Sequence, residues 1–219
     1  YFKILELIEK FAANNSDLFF VSLMKYYKDF YIDSNTIKFE LKKPNKFDDF
    51  YITLQGRYYG VFILKNDTLN KEIKNEIIKK CKNNNTSFFS LEIIPALIIK
   101  EEYVFLEKIF YLYYEELLEN HVWSSKTTNA LYLIGLATIN LKNNEIKSAK
   151  INLKLVEIEK AELCYQSYIS LFYFLTKLKI TYIENNELEN KHNMSLIIKI
   201  VKNNGFKKFI TLANKYLLS

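Results

Sequence analysis

The scarcity of glycine and proline constrains this chain more than any other feature of its sequence. The 219 residues include only four glycines and two prolines. A sandwich or barrel of this length would need many tight turns, and tight turns usually recruit glycine or proline. The chain instead has long periodic runs rich in Leu, Ile, Lys and Glu, which are typical of helices. We therefore predict an all-α fold.

Short breaks rich in asparagine divide the sequence into about eleven predicted helices. They cover residues 4–14, 17–31, 47–66, 68–82, 88–100, 101–122, 125–141, 145–160, 162–184, 187–202 and 206–218. We expect Asp67 to cap the fourth helix and Pro95 to be a first-turn residue or a kink in the fifth. Small residues at Gly135, Ala137 and Ala149 are expected to let two helices approach closely.

Consecutive helices that are joined by loops of a few residues tend to pack as antiparallel hairpins. We expect these hairpins to stack as a degenerate, tetratricopeptide-like right-handed superhelix, with a globular bundle as the alternative. No strict 34-residue repeat is present, so any repeats are degenerate. Residues 1–219 are expected to form a single helical-repeat domain.

The basic character of the chain does not by itself indicate a nucleic-acid surface. The net charge is +6, yet Arg57 is the only arginine, and base and phosphate recognition relies on arginine forks. We interpret the charge mainly as solvated lysine-rich helix surfaces, with nucleic-acid binding as the minority alternative. Cys81 and Cys164 lack metal-ligand spacing, and no apolar run is long enough to span a membrane. We expect a cytoplasmic protein without a metal, a cofactor or a membrane contact.

No set of catalytic residues is recognisable in the sequence. His121 and His192 have no nucleophile near them, and no GxSxG, HExxH, P-loop or dinucleotide-binding motif occurs. A helical ribonuclease would need an arginine close to a histidine, but Arg57 is far from both in sequence. We therefore expect a binding protein and no enzyme. A helical nuclease or toxin is the least favoured hypothesis.

Polar groups on an otherwise apolar helix surface form the pattern that a ligand groove needs. In the helix predicted for 125–141, one stripe at helical spacing consists of Asn129, Leu133, Leu136 and Asn140. The two carboxamides could bond the backbone of an extended peptide while the leucines contact its side chains. The alternative is that both amides cap neighbouring turns.

Two further stripes are candidates for the same groove. The second consists of Gln166, Ser170, Tyr173 and Lys177. The third consists of Thr53, Arg57, Gly60 and Leu64. Arg57 is the predicted carboxylate clamp of the third stripe, because its planar fork can bind a carboxylate through two bonds. For the second stripe, a solvent-exposed helix side is the favoured alternative.

The order of several segments resembles the C-terminal region of the Rgg/GadR/MutR transcriptional regulators. The resemblance begins with the block Phe88–Glu92 and continues through residues 103–114 and 130–157. Residues 140–149 resemble the asparagine-containing turn of that family, and residues 197–216 resemble its ending.

The resemblance implies the sensor domain of such a regulator. These proteins carry an N-terminal helix-turn-helix domain and then a tetratricopeptide-like domain that dimerises and binds a short, re-imported signalling peptide. The implied partners are a short hydrophobic peptide and a second copy of the chain. DNA would be contacted only through a helix-turn-helix domain upstream. The alternative hypothesis is a helical-repeat adaptor that recruits another protein and has no DNA-linked role.

Overall fold

The computed structural model describes residues 59–60, 62–64, 69–83, 93–120, 126–161, 163–204 and 208–218, and the single positions 7, 10 and 14. Within these residues the protein is helical and contains no strand, which confirms the predicted all-α class. Its α-helices are α1 (Lys71–Asn83), α2 (Ile93–Ile99), α3 (Tyr103–Asn120), α4 (Lys126–Lys142), α5 (Ile146–Lys154), α6 (Leu163–Ile183), α7 (Glu187–Asn204) and α8 (Lys208–Leu218). A 3-10 turn, η1 (Ile158–Lys160), lies between α5 and α6.

The chain divides into two compact units. Unit 1 comprises Tyr1–Asn45 and Lys177–Ser219, and unit 2 comprises Lys46–Thr176. The predicted single domain over residues 1–219 and the superhelical stacking of the hairpins stay predictions.

The same turn joins α2 to α3, α4 to α5, and α6 to α7. Each turn contains one residue with a positive φ: Glu101 at 57°, Asn144 at 62° and Asn185 at 55°. The N–H of the following residue donates to the carbonyl five residues back, in the pairs Glu102 to Leu97, Glu145 to Asn140 and Asn186 to Thr181. This is the Schellman arrangement that satisfies the last carbonyls of a helix. The turns are 43 residues (101 to 144) and 41 residues (144 to 185) apart, a longer spacing than the 34 residues of a tetratricopeptide repeat.

Helix α1 begins later than the sequence predicted. Asn70 is its N-cap, because Asn70 Oδ1 accepts a hydrogen bond from the N–H of Ile73 at 2.9 Å, and the predicted cap Asp67 lies outside the described residues. Asparagine and aspartate are equally good caps, so the composition of this segment does not distinguish the two positions. Pro95 is the third residue of α2, which confirms its prediction as a first-turn residue.

The predicted helix 145–160 is wrong at its C-terminal end. Helix α5 ends at Lys154, and the N–H groups of Leu155 and Val156 bond carbonyls three residues back instead of four. Leu153 is buried, whereas the Leu155 side chain is 56% exposed. The apolar side of the helix therefore ends at Leu153, and further turns would gain little burial to stabilise them.

Helix α4 packs against α2, α3, α5 and η1 in unit 2. Gly135 of α4 lies against the Phe110 side chain of α3. A Cβ atom there would lie 2.5 Å from Phe110 Cζ and 3.3 Å from Ile94 Cγ2. Ala137 and Ala149 are fully buried. Gly135 therefore makes room for side chains of α2 and α3, and the close approach of two helices expected from these small residues stays a prediction.

In unit 1, α7 packs against α8. The buried apolar side chains of this unit include Ile197 and Val201 of α7 and Phe209 and Ala213 of α8. Taken over the described part of the chain, no helix is both long enough and apolar enough to cross a membrane.

Candidate ligand-binding surfaces

Helix α4 is buried on all sides except one narrow stripe. Every residue of α4 is described, and from Thr127 to Leu141 the positions that are not buried are Asn129, Leu133, Leu136 and Asn140. Each of these four side chains is half-buried. They are the residues of the first predicted stripe, and we call them the Asn-Leu stripe. The structure brings all four together on the accessible side of the helix.

The composition of the Asn-Leu stripe differs from that of a solvated helix surface. No charged residue occurs between Lys126 and Lys142 in α4. The exposed positions of α7, in contrast, include Glu187, Lys191 and Lys199. Since 26% of the chain is charged, an uncharged accessible stripe is better suited to a ligand than to bulk water.

The amide groups at the two ends of the stripe are available to a ligand. The turn after α4 uses the backbone carbonyl of Asn140, which accepts a bond from Glu145 at 2.7 Å. Among the described residues, neither the Asn129 nor the Asn140 carboxamide has a hydrogen-bond partner. Each therefore retains two N–H donors and one carbonyl acceptor, and the alternative that these amides cap neighbouring turns is not observed in this part of the chain.

The second predicted stripe is half-buried on α6 at Gln166, Ser170 and Tyr173. Gln166 Nε2 donates to the carbonyl oxygens of Glu159 at 3.2 Å and Ala161 at 3.0 Å. Both of its amide hydrogens therefore hold η1 against α6, and its Oε1 atom remains for a ligand. The part that these three residues play in peptide binding stays a prediction.

The remaining predicted residues contribute less to the site. Arg57, the predicted clamp, lies outside the described residues, as does His121. On the predicted face of Arg57, Gly60 is buried and Leu64 is half-buried. His192 is exposed on α7.

A cleft on α7 was not predicted from the sequence. It has a volume of about 530 Å³, and its described lining is Tyr182, Glu187, Asn190, Lys191, Met194, Ser195 and Ile198. The six α7 residues follow the spacing i, i+3, i+4, i+7, i+8 and i+11, so they lie on one side of the helix. We call this the α7 cleft. The helical spacing of its lining residues is visible in the sequence, but the Glu, Lys and Ser among them are typical of an ordinary solvated helix surface.

A buried polar network lies beside the α7 cleft. The Thr181 hydroxyl hydrogen-bonds to Asn190 Oδ1, and Asn193 Nδ2 donates to Thr181 Oγ1 at 3.4 Å. Thr181 and Asn193 are buried, and Asn193 Oδ1 has no partner within the described residues. Because Asn190 uses its oxygen for Thr181, its amide nitrogen is left as the donor for a ligand.

Among the described residues, no three His, Cys, Asp or Glu side chains are grouped as they would be to bind a metal ion. In comparisons with known proteins, no family model matches this chain, and no curated protein or solved structure matches it either.

Proposed function

We propose that this chain is the ligand-sensing and dimerisation domain of a cytoplasmic bacterial transcriptional regulator, with a binding and not a catalytic role. Its ligand is a short hydrophobic signalling peptide that lies along the Asn-Leu stripe. The observation that carries the proposal is the accessibility of this uncharged stripe on a helix that is otherwise buried. The regulatory context comes from the resemblance to the Rgg/GadR/MutR proteins, in which DNA is contacted through a separate helix-turn-helix domain.

The dimensions of the stripe set the length of the peptide. Asn129 and Asn140 are eleven positions apart, which corresponds to about 16 Å along a helix. An extended peptide covers this distance with about five residues. The two carboxamides would bond the peptide backbone near its ends, and Leu133 and Leu136 would contact the apolar side chains between them.

Calorimetric titration of the 219-residue chain with short hydrophobic peptides tests the proposal. We expect micromolar binding, which corresponds to about 8 kcal/mol. Asn129→Ala and Asn140→Ala should each weaken it about fivefold to tenfold, because each removes hydrogen bonds to the peptide. Asn152→Ala is the matched control, since Asn152 is a half-buried asparagine on α5 outside the stripe.

The outcomes distinguish a wrong function from a wrong binding site. If the wild-type chain binds none of the peptides, the proposed function is contradicted. If it binds one, but the stripe variants behave like Asn152→Ala, the peptide binds elsewhere. Light scattering on the same samples tests dimerisation, for which we expect twice the 26.1 kDa mass of one chain.

A protein–protein adaptor is the second candidate function. Val104 and Tyr111 of α3 are 77% and 68% exposed, and their spacing of seven positions puts them on one side of the helix. Large exposed apolar side chains on one surface favour a protein partner. A monomer that binds no peptide, together with a partner whose binding is lost in Val104→Glu, would favour the adaptor.

A further inference from the structure

We propose that the α7 cleft is a binding site for a free apolar α-amino acid, in addition to the peptide site on α4. The cleft belongs to unit 1, and the peptide proposal uses none of its residues. A polar, charged end and an apolar end occur along the same side of α7. This arrangement matches a ligand with a zwitterionic head and a hydrophobic side chain.

The polar end offers donors for a carboxylate. Lys191 is exposed and has no ion-pair partner among the described residues. Asn190 precedes it, and its amide nitrogen is free to donate because Thr181 holds its oxygen. An ammonium group and an amide N–H next to each other can bond the two oxygens of one carboxylate.

The same end also offers an acceptor for an ammonium group. Glu187 lines the cleft four positions before Lys191, so the Cβ atoms of the two residues are about 6 Å apart. Within the described residues, Glu187 has no cationic partner. An α-amino acid carries its ammonium and carboxylate on one carbon atom, whereas the two ends of an extended peptide are too far apart to meet this pair together.

The apolar end accommodates the side chain of the amino acid. Met194 and Ile198 are half-buried one and two turns after Asn190, and Tyr182 of α6 also lines the cleft. The volume of about 530 Å³ falls within the range of small-molecule sites and leaves room for an aromatic or branched side chain. Charge complementarity and the apolar lining together favour leucine, isoleucine or phenylalanine over polar amino acids.

Methyl NMR of the 219-residue chain labelled at its methionine methyl groups reports directly on this cleft. The chain contains two methionines, and Met194→Leu identifies the signal that belongs to the cleft. We expect a saturable shift of the Met194 signal on titration with L-leucine or L-phenylalanine. Acetyl-leucine, which lacks the ammonium group, and leucinamide, which lacks the carboxylate, should each bind at least about fivefold more weakly.

Two variants test which charged group of the amino acid each cleft residue binds. Lys191→Met should weaken leucine binding about fivefold and leave leucinamide binding unchanged, and Glu187→Gln should weaken leucine binding to a similar degree while leaving acetyl-leucine unaffected. Lys199→Met is the matched control, because Lys199 is an exposed lysine of the same helix outside the cleft. No shift of the Met194 signal with any amino acid would overturn the proposal. Equal binding of leucine and acetyl-leucine, or equal loss in Lys191→Met and Lys199→Met, would also overturn it.

Discussion

The α4–α5 and α6–α7 hairpins are closed by the same turn but are held together differently. The fully buried residues of α4–α5 include the small apolar Ala137 and Ala149, and at another contact of α4 Gly135 lies against Phe110 of α3. In α6–α7, a polar network joins the helices through Thr181, whose hydroxyl bonds to two asparagines of α7. The difference shows that the turn is a local property of the chain, whereas the packing beside it decides which groups remain free to bind a ligand.

The largest expected effect tests how α4, the first helix of the apolar hairpin, packs against α3. Gly135→Val should destabilise the protein by about 3 kcal/mol, because its added atoms would overlap the Phe110 ring in a packed core. Phe110 is itself buried, and its ring centroid lies 4.7 Å from the ring centroid of Tyr132, so it has little room to move. Chemical denaturation measures the change.

Leu133→Val is the control for this substitution, since it places the same β-branched side chain on the accessible side of α4. We expect a loss below about 1 kcal/mol there. Equal losses at positions 133 and 135 would show that α4 is not packed through Gly135.

The next effect tests the polar hairpin. Thr181→Val should cost about 2 kcal/mol, because it keeps the shape of the side chain but leaves the buried Asn193 amide without its partner. Thr138→Val should cost less than about 1 kcal/mol. The Thr138 hydroxyl bonds mainly to the Ile134 carbonyl of its own helix at 2.8 Å, and this carbonyl also belongs to the helical ladder. Equal costs in thermal unfolding would contradict the distinction between the two hairpins.

The sequence predicted those features of the fold and of the candidate site that depend on local residue patterns. The bounds of α4, α6 and α7 were predicted to within two residues, because asparagine-rich turns punctuate strongly periodic segments. The accessible position of the Asn-Leu stripe follows from helical periodicity, because the rest of α4 is apolar or small and buries itself. These features depend on local sequence alone.

The features that were missed depend on contacts between one element and the next, which helical periodicity does not encode. Helix α5 ends where its side chains stop being buried. Gln166 donates to the Ala161 carbonyl at the end of a 3-10 turn that no residue pattern predicted. The α7 cleft needs Tyr182 from the preceding helix and an Asn190 amide oriented by Thr181. Charged and polar residues at helical spacing usually mark a solvated surface, so their spacing does not reveal a cleft.

A smaller effect tests whether the two turns are equivalent. Asn144→Ala and Asn185→Ala should each cost about 1 kcal/mol, because both positions have a positive φ that alanine adopts with strain. Asn144→Gly and Asn185→Gly should be neutral or slightly stabilising. Unequal costs of the two alanine variants would show that the turns are not energetically equivalent.

The smallest expected effect concerns the segment after α5. A hydrogen bond from Lys160 lowers the pKa of the Glu157 carboxyl below its usual 4.5, and the charges of Lys160 and Lys126 add to this. A carboxyl whose pKa is lower in the folded than in the unfolded state stabilises the fold at pH values above its unfolded-state pKa. This stabilisation is lost as the pH falls through the folded-state pKa. Lys160→Met should therefore raise the pKa of Glu157 in a carboxyl NMR titration. An unchanged pKa would show that the pair does not form in solution.

Photo-crosslinking with a diazirine-bearing hydrophobic peptide of about five residues tests the central claim most directly. After irradiation of the wild-type chain, mass spectrometry locates the labelled residues. The account predicts label within residues 126–142, with loss of that label in the Asn129→Ala, Asn140→Ala double variant. Label confined to other helices, or retained at full yield in the double variant, would contradict peptide binding along the Asn-Leu stripe.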